Sequence, residues 1–300
     1  MRASDWLLLV FLSVLWGATF FFVAVAVPDV PPFTLVLARV AIAALVLAPV
    51  VYLAGYRLPG SLAAWRSYAV LALLNNVLPF TLMTYGQTRI ASGLASVLNA
   101  TTPLFTLVIA RVFAGEPLPV NRIVGVVLGV AGVAVLMGPD ALDANASSLT
   151  GMLCILAGAL AYGFAALRMR SLQGAPPLQA AGAQLICSTI MLAVLAGAVD
   201  RFWQLPAPGW PAVLAIVGLA VFSTALAYIV FFRINATAGP TNVMLVTLLI
   251  PVTATALGVL ILGETLALNQ LAGALIIASG LVVIDGRLLR RQRAPAGVSG

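Results

Sequence analysis

The 300-residue chain is 63% hydrophobic and 8% charged, with a formal net charge of +7. That apolar mass cannot be hidden in one soluble core, and it recurs in long uncharged runs, the pattern of spanning helices rather than buried strands. The chain has no His and no Lys, which excludes His general-base catalysis, Lys Schiff-base chemistry and a His-ligated metal, and no cofactor is expected.

A short basic leader, 1–5, precedes an apolar run at 6–27. That run is too long for a signal-peptide core and lacks an Ala-x-Ala exit, so it reads as a first span rather than a cleaved signal. Runs at 33–53, 68–87, 91–113 and 120–138 follow, each near the roughly 20 residues needed to cross hydrocarbon. The polar stretch 139–150, with Asp140, Asp143 and Asn145, reads as a linker between halves. Five more spans occupy 151–167, 178–199, 210–234, 239–262 and 268–284, and a basic tail, 287–300, carries Arg287, Arg290, Arg291 and Arg293. The halves are therefore 1–138 and 151–286. Cys154 and Cys187 fall inside spans and read as buried thiols rather than a disulfide.

Segment 85–136 laid over 233–284, 148 positions later and without gaps, matches at Pro103/Pro251, Gly115/Gly263, Glu116/Glu264, Leu118/Leu266, Asn121/Asn269, Gly125/Gly273, Gly132/Gly280 and Val135/Val283. Pro, Gly, Glu and Asn are not interchangeable apolar residues, so shared hydrophobicity does not account for the matches. Trp16-Gly17 echoes Tyr162-Gly163, Pro31-Pro32 echoes Pro176-Pro177, and Asn75-Asn76 echoes Ser223-Thr224. Five spans per repeat make the second copy enter from the opposite side, so the repeats are inverted. With the N-terminus inside, Arg2, Arg57, Arg66, Arg122, Arg168, Arg170, Arg233 and the tail arginines are cytoplasmic, against Arg89 and Arg201 outside. Both termini are expected in the cytoplasm, with anionic lipid headgroups rather than nucleic acid as the partner of the positive charge.

All eight acids lie at span ends or in loops. A midplane carboxylate, the usual mark of a proton relay or sodium site, is missing, which argues against a carboxylate-coupled pump and an intramembrane enzyme. Pro103 and Pro251 stand near the centres of spans four and nine, where each frees the carbonyl four residues earlier, on Asn99 and Thr247; they read either as a paired hinge or as packing kinks. Asn75 and Asn76 point about 100° apart on an α-helix, so at most one faces a narrow cavity, the alternative being interhelical hydrogen bonds. Trp16, Tyr162 and Tyr228 are candidate ligand contacts whose polar tips need partners, and Tyr85, near a span end, fits equally well as an interfacial anchor. Arg39, about 9 Å inside span two, either snorkels to the outer headgroups or clamps a substrate carboxylate. Gly115-Glu116 and Gly263-Glu264 read as loop and capping motifs before spans five and ten, where Glu favours the positive helix end. Gly125, Gly129, Gly132, Gly273 and Gly280 give those spans small faces, for packing within the chain or in a homodimer.

Gly-Glu before spans five and ten, central prolines in spans four and nine, Trp-Gly in the first span and a five-plus-five arrangement resemble the EamA family of the drug/metabolite transporter superfamily, over essentially the whole chain. Within it the chain looks most like bacterial exporters of aromatic and other neutral amino acids. The resemblance implies an all-α inner-membrane carrier whose central cavity is formed mainly by spans three, four, eight and nine with one, two, six and seven, leaving five and ten at the side. It implies that Asn76, Asn99, Pro103, Tyr228, Thr247 and Pro251 line or hinge that cavity. The inverted halves suggest alternating access around a midplane site. Cavity candidates that are amides, hydroxyls and rings favour small neutral or zwitterionic metabolites such as amino acids. Efflux of lipophilic cations is the alternative, nucleotide sugars fit less well with Arg39 alone at depth, and a non-transporting membrane subunit or intramembrane enzyme comes last.

Overall fold

The computed structural model describes residues 3–138, 147–172, 176–239, 243 and 245–285. The predicted linker acids Asp140 and Asp143, with Asn145, and the tail arginines Arg287, Arg290, Arg291 and Arg293 lie outside them. Among the described residues the long elements are all helices: α1 Ala3–Ala26, α2 Pro32–Leu53, α3 Leu62–Gln87, α4 Ser92–Ala114, α5 Val120–Met137, α6 Ser147–Arg170, α7 Pro177–Ala198, α8 Trp210–Ala238, α9 Val246–Leu262 and α10 Leu268–Asp285. Eight are long and apolar enough to cross a membrane, and α9 and α10 are shorter apolar helices. Two helices depart most from the predicted spans: α9 begins at Val246 rather than at 239, and α3 begins at Leu62 rather than at 68 because Ser61 caps it, its side chain accepting the Ala64 N–H at 3.2 Å. Pro32 and Pro177 open α2 and α7 at the first turn, where a missing N–H costs no hydrogen bond.

The helices alternate in direction, so cross-chain hydrogen bonds collect at two faces. On the near face, which carries the start of α1, Asp5 accepts from the Thr237 hydroxyl, Arg168 donates to Ser67, and Asn121 donates to the Val283 carbonyl. Gln179 donates there to the Arg57 carbonyl. On the far face, Asp200 accepts both the N–H and the hydroxyl of Thr34, Asp29 accepts the Gly209 N–H, and Arg89 donates to Ser147. In the described residues the acids thus sit at helix ends, as their hydration demands.

Two of the four buried apolar clusters among the described residues hold most of the interior residues. One joins α1, α4, α6, α8, α9 and α10 with Met83 of α3 and Leu136 of α5, the other joins α2, α3, α7 and α8, and Tyr162 packs against both. Helix α5 lies along α10. A Cβ on Gly132 would come within 2.8 Å of the Ile277 nitrogen and one on Gly280 within 2.7 Å of the Gly125 carbonyl, so the small faces pack against each other within the chain. The outer face of α5, with Val120, Val124, Val127 and Val130 exposed, is left for lipid or a second copy. Outward apolar residues on nearly every helix are what a hydrocarbon solvent requires.

Candidate functional site

Two helices change pitch at their centres. Leu73–Val77 of α3 and Val221–Leu226 of α8 are π-helical turns, and their first residues are separated by the same 148 positions as the sequence repeat. In α3, Pro79 follows two residues later and removes an amide from the ladder. In α8, the Thr224 hydroxyl takes the Leu219 carbonyl at 2.9 Å, five residues back, in competition with the backbone. Such single π turns are frequent at functional sites.

The π turns carry a buried polar network. Arg39 on α2 donates from Nε to the Thr224 hydroxyl at 3.0 Å. Asn76 donates to Ser188 on α7 at 2.9 Å and accepts from the Tyr228 hydroxyl at 3.2 Å. Asn75 donates to Gln184 at 3.1 Å, and the Ser188 hydroxyl donates to the Gln184 carbonyl at 2.7 Å. Both asparagines make the interhelical hydrogen bonds of the alternative reading, and the wider turn brings the two neighbouring side chains closer in angle, toward α7. The links from Arg39, Asn75, Asn76 and Tyr228 each join the first half of the chain to the second.

Arg39 corrects a second expectation. It is 6% exposed and does not snorkel to the headgroups. Its guanidinium carbon lies 3.6 Å from the centre of the Phe80 ring, and the Tyr162 and Tyr228 phenols stand within electrostatic reach. Among the described residues no acid pairs with it and no side chain accepts from its Nη1 or Nη2. A guanidinium stripped of water at a cost of several kcal/mol is offset only in part by one hydroxyl and a ring face. What remains is a planar pair of donors suited to a carboxylate.

The other candidates are spread around this centre. Trp16 packs against Phe231 with ring centres 5.5 Å apart and planes tilted by 39°, and the next residue, Gly17, lets α1 approach α9, where an added Cβ would meet the Ala254 nitrogen at 3.0 Å. Gly163, after Tyr162, likewise lets α6 touch α4, with the Phe105 carbonyl carbon 3.3 Å from an added Cβ. The aromatic-glycine pair thus joins a close helix contact to an inward ring in both halves. Helix α4 is broken at Ala100 and Thr101 and resumes at Thr102, with Pro103 in its first turn. The Asn99 carbonyl that Pro103 deprives of a backbone donor accepts the Thr102 hydroxyl at 2.7 Å, and Asn99 Oδ1 is buried with no partner among the described residues. Pro251 instead lies inside α9, as does Thr247. The two prolines therefore occupy different local settings, a break and a helix interior, rather than a matched pair of kinks. Tyr85 stays at the far-face rim, half exposed, and accepts from Arg89 at 2.7 Å. It does not join the network.

Gly115 and Gly263 end α4 and α9 with positive φ, 66° and 69°. The glutamates that follow do not serve the helices they precede. Glu264 accepts the Ser92 and Gly93 N–H groups at 2.7 and 3.0 Å and so caps α4 from the other half, while Glu116 pairs with Arg170 on the near face. A cavity of about 420 Å³ lies beside Glu264, at the far-face ends of α1, α3 and α4, rather than beside Arg39. Sequence reasoning missed Gln184, Ser188 and Phe80 as site residues. Gln184 and Ser188, polar at i and i+4 in an apolar span, were the available signal.

Comparison with known proteins places this geometry in a family. An uncharacterized transporter of Bacillus subtilis, YoaV, is 27% identical over 93% of this chain and 96% of its own. An uncharacterized inner membrane transporter of Escherichia coli, YedA, is 27% identical over 93% and 90%. A protein of Salmonella typhimurium described as a probable amino-acid metabolite efflux pump is 24% identical over 99% and 100%. A solved crystal structure shares the fold with a TM-score of 0.67 at 21% identity, over 97% of this chain and 100% of the other. The profile of the EamA-like transporter family matches twice, over residues 4–138 and 149–285, and this multi-pass membrane protein belongs to that family.

Proposed function

We propose that this transporter exports small neutral or zwitterionic metabolites, amino acids first among them, by alternating access of two inverted five-helix repeats in a bacterial inner membrane. The observation that carries the substrate class is Arg39: a buried guanidinium with Nε on Thr224 and its terminal N–H pair left for a guest carboxylate. Phe80, Tyr162 and Tyr228 surround the fork with ring surface for an apolar side chain. The same positive charge disfavours a lipophilic cation. The relative described as an amino-acid metabolite efflux pump is consistent with this reading.

The repeat reading draws on the 148-residue offset, the two family matches, the paired π turns and the paired glycine caps. Cytoplasmic termini follow from the arginine distribution, which sets the near face against anionic headgroups. The test is counterflow in proteoliposomes with labelled phenylalanine, threonine and methionine beside a quaternary cation and a nucleotide sugar. Saturable amino-acid exchange that the cation does not compete is expected. Movement of the cation alone would replace this reading with drug efflux.

A further inference from the structure

The far-face cavity carries chemistry that the central network does not. Its lining combines the Glu264 carboxylate with Gln87 and Ser92, which are 7% and 1% exposed. Gln87 Oε1 and Ser92 Oγ are both buried and hydrogen-bond to nothing among the described residues. Buried oxygens without partners are uncommon in folded proteins and point to a missing donor. Glu264 is not exhausted by its cap: a carboxylate has about four lone-pair positions, of which the Ser92 and Gly93 amides take two. Thr88 also lines it, with its hydroxyl donated to the Tyr85 carbonyl, and Ala24, Val27, Pro28 and Ile90 make up the apolar part of the wall. At about 420 Å³ the cavity falls within the usual range for small-molecule sites.

We infer that this cavity is a second binding site, selective for a primary ammonium group on a small apolar molecule. Three oxygen centres, one of them anionic, match the three N–H donors and single charge of an ammonium. A carboxylate or phosphate ligand meets the Glu264 charge instead. A quaternary ammonium has no N–H to give, and the described lining offers no aromatic face to hold it. On the amino-acid reading, on which only this step rests, the site receives the ammonium end of cargo whose carboxylate is held by Arg39 deeper in the bundle.

The test is equilibrium binding to the full-length protein in lipid nanodiscs, with 2-phenylethylamine, 3-phenylpropionate and benzyltrimethylammonium as probes. Phenylethylamine is expected to bind, benzyltrimethylammonium at least about tenfold more weakly, and Glu264→Gln to weaken the amine by about tenfold or more. Gln87→Met leaves the cap on α4 intact and is expected to weaken the amine several-fold, which keeps the site testable where Glu264→Gln folds poorly. Arg39→Gln is expected to abolish phenylpropionate binding and to leave the amine unaffected. Loss of phenylpropionate binding by the wild type overturns the Arg39 reading and not this one. Amine affinity unchanged in both Gln87→Met and Glu264→Gln, no amine binding to the wild type, or equal binding of the quaternary probe overturns the second site.

Discussion

The guanidinium carbon of Arg39 lies 3.6 Å from the centre of the Phe80 ring, and no described acid neutralises it. Stability and transport are therefore set against each other at this position. An acid-free buried charge carries a desolvation cost of several kcal/mol, which an apolar side chain of similar volume does not. Arg39→Met should raise the unfolding temperature in detergent and lower amino-acid affinity by about 10–100-fold, the worth of a charge-assisted pair. A variant that melts lower and transports normally would refute both statements.

Asn76 is the hub through which Tyr228 and Ser188 are joined. Asn76→Leu removes the only hydrogen-bond acceptor found for the Tyr228 hydroxyl among the described residues, and the expected loss of stability is about 1–3 kcal/mol. Asn75→Ala, at a half-buried position, should cost nearer 0.6 kcal/mol, the average for a hydrogen bond between membrane helices. Paired unfolding measurements would distinguish them, and equal losses would mean that the hub assignment is wrong.

Pro103 and Pro251 predict different outcomes. Pro251→Ala restores an amide inside α9 and should raise thermal stability, since an interior proline costs up to about 3 kcal/mol in a helix. Pro103→Ala falls in the first turn of a segment where proline is tolerated, so its effect on melting should be small. The double variant should slow substrate exchange far more than it lowers folded yield. Unchanged exchange would remove the hinge proposal.

Glu264→Gln should speed hydrogen exchange at Ser92 and Gly93, by an amount corresponding to about 0.5–2 kcal/mol of lost capping, and Glu116→Gln should not. Exchange mass spectrometry on the peptide spanning the start of α4 makes the comparison directly.

Most of the helical order is legible in the sequence because each span is an uninterrupted apolar run, and the buried Arg39 and Asn76 and the half-buried Tyr162 and Tyr228 stand out as polar atoms in such runs. What is not legible shares a cause. The depth of Arg39 along one helix says nothing of its surroundings, which are set by Phe80 and Thr224 on two others. A π turn, which changes the angle between Asn75 and Asn76, has no local sequence signature here. Gln184 and Ser188, a single polar pair in an apolar span, carry no sign of what lies across from them. The reach of Glu264 to α4, a contact 171 positions away, leaves no local trace.

Gly17→Ala should destabilise the fold by about 1–3 kcal/mol, because the added methyl meets Thr253 and the Ala254 nitrogen of α9, and Gly163→Ala should cost less, because its closest clash is with the Ile109 side-chain end, which can move. Gly60→Ala, with open space around it, serves as the control and should fall within about 0.5 kcal/mol of wild type.

Those two glycine contacts also divide the bundle mechanically. Helices that approach this closely, α1 on α9 across Thr253 and Ala254 and α6 on α4 across Ile109 and Phe105, leave little room to slide and act as two stiff beams. Compliance is left to the places where the helical ladder is already interrupted: the π turns of α3 and α8 and the break after Asn99. Any rearrangement that carries cargo through this molecule would bend at those joints while the beams stay straight.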